Sequence, residues 1–244
     1  MKIKYFIIYL VFSIKFLGNN IYLTSLEWPP YTGKDLYLQG ISSLIVKKAF
    51  EIEGYNLQID FFPWSRVIYN VKENNKYIGY FPEYYSESLK DDFYFSDPID
   101  TSILGFVVRI NSSISWEKLE ELGNYKIGII QDYINTEEFD KLIKSNSLVI
   151  ESVISDLLNI RKVAGRRIDM AVIDKNVLKY YLDHERTLER IKKQVKFNEQ
   201  ILEEKNTYVC FSKNENGKKM LDIFNSGLKK LDVEKIKKEY FLEY

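Results

Sequence analysis

From Ile21 onward, apolar residues recur at two periods that take turns along the chain. "NIYLTSL" reads as a first strand. Between Gly40 and Gly54, residues Ile41, Leu44, Ile45, Ala49 and Phe50 fall at helical intervals, and Gly54 offers a C-terminal stop. "NLQIDFF" then alternates Leu57, Ile59 and Phe61, the pattern of a half-buried strand. A short helix through Val67, Ile68 and Val71, a strand around Tyr77 to Phe81 and the strand "SILGFVVR" complete a first block. A second block opens near Ser115, which is placed to cap a helix carrying Trp116, Leu119 and Leu122 and ended by Gly123. "YKIGII" is a strand, and Asn135 with Glu138 approximates a capping box for a helix with Phe139, Leu142 and Ile143. "SLVIES", "DMAVI" and "TYVCFS" are further strands, separated by helices over "SDLLNIRKVAG" and "KNVLKYYLDHER". Two helices, around Met220 to Leu231 and Val233 to Tyr240, follow. This alternation predicts an α/β fold with mainly parallel sheets covered on both faces.

The first twenty residues break the pattern. "MKIKYFIIYLVFSIKFLGNN" has Lys2 and Lys4 ahead of an apolar run from Tyr5 to Ile14, broken only by Ser13. That run is about half of the ~20 residues a membrane span needs, and it fits a secretory signal. Lys15 interrupts it and no A-x-A site follows, so cleavage is expected near Gly18 to Asn20; a buried first strand is the alternative. No cysteine follows the run to carry a lipid anchor, and the mature chain is expected to be exported and soluble.

Composition excludes some functions. Lysine plus arginine and aspartate plus glutamate number 35 each in 244 residues, so no net field favours nucleic acid or an acidic membrane. Cys210 is the only cysteine and His184 the only histidine, which rules out an internal disulfide and any zinc spacing. Cys210 lies in a strand pattern and reads as a small buried hydrophobe. Two of only five prolines stand in "EWPPYTG". Proline fixes φ and restricts its predecessor, so Trp28 and Tyr31 are expected to be held out on a stiff turn as a binding platform.

Taken in order, "EWPPYTG", "FFPWSR", "YYSES…FYFSDPI", "YKIGIIQDY", "AGRRIDMAVID" and "YVCFSK" resemble the family 3 extracellular solute-binding proteins. These are periplasmic receptors of polar amino-acid ABC transporters, and the likeness is to the branch with a Pro-Trp-x-Arg motif. It spans about 21–244. It implies a two-lobed periplasmic-binding-protein fold of type II, with lobe 1 over 21–103 plus 204–244 and lobe 2 over 104–203. Two strands would cross between the lobes, near Ser102 to Gly105 and Glu203 to Thr207. The implied partners are a small polar solute and a membrane ABC permease, with no cofactor or metal, in a monomeric protein located in the periplasm.

Within that likeness, Trp28 or Tyr31 matches one wall of an aromatic sandwich and Trp64 the other, unless Trp64 packs under its own helix. An indole face also attracts an ammonium group. Asp174, at the end of "DMAVID", matches the aspartate that pairs a ligand α-ammonium; it is equally placed to cap the next helix, and both roles are compatible. Arg66 could grip a carboxylate with its guanidinium fork or bridge loops. Alanine at Trp64 or Asp174 is expected to weaken binding and spare folding.

Three positions depart from the family pattern. The arginine that clamps the ligand carboxylate, six residues before Phe95, is Leu89 here, with Lys90 beside it. The usual small or hydroxyl residues upstream are Phe81, Pro82, Glu83 and Tyr84, and a Gly-Thr or Gly-Tyr pair is replaced by Gln131, Asp132 and Tyr133. One cation is lost while Glu83 and Asp132 gather near the cleft with Tyr84 and Tyr133. Burying unpaired carboxylates is costly, so a basic or amine-bearing solute competes with an ordinary amino acid as ligand. Two other functions share this fold: a cyclohexadienyl dehydratase, which needs cations for a dicarboxylate, and a sensor input module. Binding without chemistry is the expectation.

Overall fold

The structure is a computed structural model and describes residues 19–243. All but the last two residues of the expected signal segment lie outside the described residues. The chain runs β1 (Asn19–Ser25), α1 (Ile41–Ile52), β2 (Tyr55–Phe61), α2 (Trp64–Glu73), β3 (Gly79–Tyr84), β4 (Phe93–Phe95) and β5 (Asp100–Arg109). It continues through β6 (Lys126–Ile130), α3 (Glu137–Lys144), β7 (Val149–Val153), α4 (Asp156–Ala164), β8 (Met170–Asp174) and α5 (Lys175–His184). Last come β9 (Val195–Phe197), β10 (Glu203–Ser212), α6 (Glu215–Leu228) and α7 (Val233–Glu243). Among the described residues, no helix is long and apolar enough to cross a membrane.

Strand order is β2-β1-β3-β10-β5-β8-β6-β7, with β4 on β10 and β9 on β5. β1 lies parallel to β2 and β3, and β6 parallel to β7 and β8, so each end of the sheet is a parallel α/β block. Between them run β5 and β10, ten residues each. Asp100–Leu104 pairs antiparallel with Glu203–Thr207; β5 then continues beside β8, and β10 beside β3 and β4. Two strands therefore belong to both halves, which is the strand plan of a type II periplasmic-binding-protein fold.

The first half buries Leu23, Ile45, Phe50, Tyr80, Phe211 and Phe224, while one face of the second half buries Phe106, Trp116, Ile127, Phe139 and Met170 as a separate cluster. The other face of the second half, through Ile173 and Val177, joins the first cluster across the seam. The halves are thus packed together rather than splayed. α1 and α6 approach closely at Gly227, where an added Cβ would lie 1.9 Å from the carbonyl oxygen of Ala49. Gly227→Ala is expected to force these helices apart at a cost of about 1–3 kcal/mol. A urea titration reads this as a lower midpoint with unchanged slope; an unchanged midpoint contradicts the close packing.

Local structure departs from the sequence expectations in a few places. Ser115 caps nothing, and the expected helix is a 3-10 stretch, Leu119–Asn124. The backbone of Trp116 is bound instead by the Gln200 side chain, which accepts from its N–H at 3.2 Å and donates to its carbonyl at 2.8 Å. That satisfies the peptide without a helical turn. Thr136, not Asn135, caps α3, accepting from Phe139 N–H, while Asn135 donates to Asp140. β4 and β9 have three residues each, too short to carry a readable period.

Candidate functional site

The seam between the halves is assembled at strand ends. β1 stops at Ser25, and the following turn is fixed by paired bonds between Trp28 and Thr32: Trp28 N to Thr32 O at 2.8 Å and the return bond at 3.1 Å. The Trp28 and Tyr31 rings stack at 4.5 Å and 27°. Both are buried, 7% and 2% exposed, so the turn does not hold them out in solvent. It points them at the opposite half, where packing against β5 and β8 removes more apolar surface from water than an exposed platform would.

Tyr31 reaches Asp174 there, its hydroxyl donating at 3.2 Å and 3.3 Å to the two carboxylate oxygens and accepting from Asn176 Nδ2 at 3.0 Å. Asp174 also caps α5 by accepting from the N–H groups of Asn176 at 2.7 Å and Val177 at 2.9 Å. The Ser102 hydroxyl, on β5, donates to it at 2.6 Å and lies 2.6 Å from the Tyr84 hydroxyl. Tyr84, Ser102, Asp174, Tyr31 and Asn176 so form one polar chain across the seam. Burial pushes the Asp174 carboxyl up, against the bonds from Ser102, the two N–H groups and Tyr31.

Trp64 opens α2 and crosses the seam a second time. Its indole N–H donates to the Asp132 carbonyl at 3.0 Å, and its ring meets Tyr133 edge-on at 5.6 Å and Tyr80 at 5.8 Å. Asp132 has a φ of 63° and an exposed side chain. It contributes its carbonyl, not its carboxylate, because the left-handed turn directs the side chain outward. Arg66 also stays out of the seam: it is exposed, with its guanidinium 5.7 Å from the centre of the Tyr69 ring. Two residues along a helix turn about 200°, so an arginine two past Trp64 faces the other way. Lys90 ion-pairs Glu87 at 3.0 Å on the exterior, and Leu89 packs on the first core.

Two small cavities remain in the seam. One, about 30 Å³, lies among Trp28, Trp64, Glu83, Tyr84 and Tyr133. The other, about 20 Å³, lies among Tyr84, Tyr133, Leu104, Asp156 and Asp174. Trp28, Tyr84, Tyr133 and Ile134 line both. Each has room for about one or two waters, so a solute must part these aromatic side chains to enter. A wider hollow, about 750 Å³, lies elsewhere between α2 and α6 and includes none of the candidate residues.

Charge in the seam is one-sided. Glu83 is 4% exposed, and burial pushes its carboxyl up to about 8, opposed by bonds from Tyr84 N–H at 2.9 Å and Tyr80 hydroxyl at 3.1 Å and by the Lys205 charge. Asp156 is 7% exposed, and burial with the Asp174 charge raises it to about 7. Lys205 is the one buried cation nearby among the described residues. Its ammonium binds the Asn135 carbonyl and sits 4.9 Å over the Tyr84 ring. Asp100, by contrast, is neutralised by Lys237 at 2.8 Å.

Of the sequence candidates, then, Trp28, Tyr31, Trp64, Glu83, Tyr84, Tyr133 and Asp174 meet at the seam, and Arg66 and the Asp132 side chain do not. Sequence reasoning missed Ser102, Asp156 and Lys205. Asp156 had a usable signal: it opens a helix after β7, at the same carboxyl end of the sheet as Asp174, where ligands of open α/β sheets gather.

No family model matches the chain, and no curated protein matches its sequence. Solved structures match it in shape. A histidine kinase sensor domain with similarity to periplasmic binding proteins superposes with a TM-score of 0.76 at 17% identity, over 90% of this chain and 95% of that one. The GluR0 ligand-binding core from Nostoc punctiforme, in complex with L-glutamate, gives 0.73 at 18% identity, over 91% and 99%. The substrate-binding protein of an amino-acid ABC transporter gives 0.71 at 19% identity, over 91% and 99%. Near-complete coverage of both chains with this strand order shows that the protein has the type II periplasmic-binding-protein-like fold.

Proposed function

We propose that the chain is an exported, periplasmic solute-binding protein whose lobes, 21–103 plus 204–244 and 104–203, close on a small polar solute bearing a positive charge. The solute is an amino acid or a related amine, handed on to an ABC permease, and no covalent chemistry is involved. One observation carries this reading: five aromatic residues (Trp28, Tyr31, Trp64, Tyr84 and Tyr133) and three buried carboxyls (Glu83, Asp156 and Asp174) gather at the seam, with Lys205 the one buried cation among the described residues there. A cation is the guest that offsets the cost of that arrangement. The fold shared with an amino-acid transporter's binding protein and with the GluR0 core supports solute capture, and Leu89 in place of an arginine disfavours an acidic guest.

The motion is a hinge at the paired stretches of β5 and β10. Contacts to both halves exist only in the closed form, so solute free energy favours closure. On opening, the Tyr31–Asp174 and Trp64–Asp132 links break, and closure on the solute restores them.

A melting-temperature screen with L-arginine, L-lysine and putrescine against L-glutamate and succinate tests the reading. At a hundredfold excess over Kd, a cation is expected to add ~2.7 kcal/mol, or about 5–10 °C. Trp64→Ala is expected to weaken the same solute roughly tenfold, about 1.4 kcal/mol, with its own melting little changed because the ring is only half-buried. Stabilisation by the acids alone would discard the reading.

A second reading, a sensor input domain, is favoured by the seam's being bridged by the chain's own side chains and by the shape match to a kinase sensor. Small-angle scattering separates the two: a transport receptor contracts when solute is added, whereas a sensor resting closed does not.

A further inference from the structure

Asp174, the acid to which the family resemblance assigns a ligand ammonium, has little capacity left. One oxygen takes the N–H groups of Asn176 and Val177, the other takes the Ser102 hydroxyl, and the Tyr31 hydroxyl lies against both. Asp156 is the opposite case. It is nearly as deeply buried, 7% against 3% exposed, and lines the second cavity, yet among the described residues no side chain donates to it. Its carboxyl is helped only by its own backbone N–H. The charge that acts on it is the Asp174 carboxyl from β8, and the groups that feel its own charge are Tyr84 from β3, Tyr133 after β6 and Tyr181 from α5; none of them is a cation. Lys205 spends its ammonium on the Asn135 carbonyl and the Tyr84 ring. A buried carboxyl with free acceptor capacity, aimed into a cavity, calls for a donor from outside the chain.

We infer that Asp156 is the residue that receives the solute's positive group, and that the solute is an organic ammonium with at least one N–H. This rests on the solute-capture reading above and deepens it. The ammonium donates charge-assisted hydrogen bonds to the free carboxylate oxygens, and its neighbouring carbons lie against Trp28, Tyr84 and Tyr133, whose ring faces also attract the charge. A quaternary ammonium keeps the ring attraction but has no N–H to donate, so it binds more weakly. Asp174 then acts as a positioning residue: it fixes α5 and the Tyr31 ring, and leaves the recognition to Asp156.

Calorimetric titration of the full chain with L-lysine, putrescine and choline, in wild type and Asp156→Asn, tests this. Wild type is expected to bind L-lysine or putrescine more tightly than choline. D156N is expected to lose at least about tenfold in affinity for the better probe while melting no lower than wild type, because an amide at a buried and uncompensated acid relieves repulsion from Asp174. Asp156→Ser gives the same reading if the amide variant does not fold. Wild-type affinity retained in both variants overturns the role of Asp156 and leaves solute capture standing. Choline binding as tightly as putrescine overturns the N–H requirement. Failure of all three probes to bind wild type removes the capture of a cation and Asp156 with it.

Discussion

Asp174→Ala is expected to lower the melting temperature by about 6–15 °C, corresponding to ~3–4 kcal/mol in a chain of this size. The loss has two sources. Alanine removes the cap of α5, worth about 1 kcal/mol. It also strands the Ser102 and Tyr31 hydroxyls, each at roughly 1–3 kcal/mol before water and relaxation recover part. This replaces the expectation from sequence that alanine here would spare folding, because Asp174 is 3% exposed and accepts from four different residues. Asp174→Asn keeps an oxygen for the cap and is expected to lose only about half as much. If the alanine variant melted within ~2 °C of wild type, about what one ordinary hydrogen bond is worth and far below the sum lost here, the polar chain across the seam would not exist in solution.

Stability is expected to fall as pH rises from about 5 to 8, the opposite of the usual behaviour of a carboxylate-rich protein. The sign follows from the seam. Burial raises Glu83 to about 8, burial and Asp174 raise Asp156 to about 7, and Asp174 is itself raised. Between their ordinary values and these raised ones, the closed protein holds protons that the unfolded chain has released, so raising the pH favours the unfolded or open form. Each acid contributes up to ~1.4 kcal/mol per pH unit within its window. Opening of the seam and entry of water cut the sum to roughly 3 kcal/mol, or about 6–12 °C, between pH 5.5 and 8. The groups facing Glu83 are Tyr80, Tyr84, Lys205 and Cys210; those facing Asp156 are Asp174 and the three tyrosines that feel its charge. Surface acids with lowered values, such as Glu151, act only below about pH 4.5 and leave this window untouched. A double variant, Glu83→Gln with Asp156→Asn, should flatten the profile. A melting temperature that rises with pH over this range would show that the acids are solvated. A bound cation reverses the trend, since it favours the ionised carboxyls and releases their protons.

Much of the architecture was legible from spacing. The helix over Ile41–Ile52 and the strand around Leu57 repeat their apolar residues at helical and strand periods, the strands around Ile129 and Val172 are short apolar runs of strand length, and the ordered motifs carried the two-half plan. Short elements were not legible: three residues at β4 or β9 contain no period, and the Ser115 cap lost to a glutamine 85 positions away. The site divides in the same way. Trp28, Tyr31, Trp64 and Asp174 are marked by stiff turns and strand ends, but whether each faces solute, solvent or another side chain is not a local property. Arg66 differs from Trp64 by two residues and by half a turn of helix. Asp174 and Asp156 are both acids at strand-to-helix junctions, and only the partners brought by β5 and the Tyr31 turn separate a saturated carboxyl from a free one.

By itself, the sequence determined the alternation of strand and helix, because periodicity is written residue by residue; the two-half plan and the acids near its junction were legible only through the resemblance of the ordered motifs. The tertiary structure alone decided which acid is spent and which is available. Hydrogen-bond capacity at a buried carboxyl depends on donors contributed by chain segments up to 143 residues distant, and no local pattern records them.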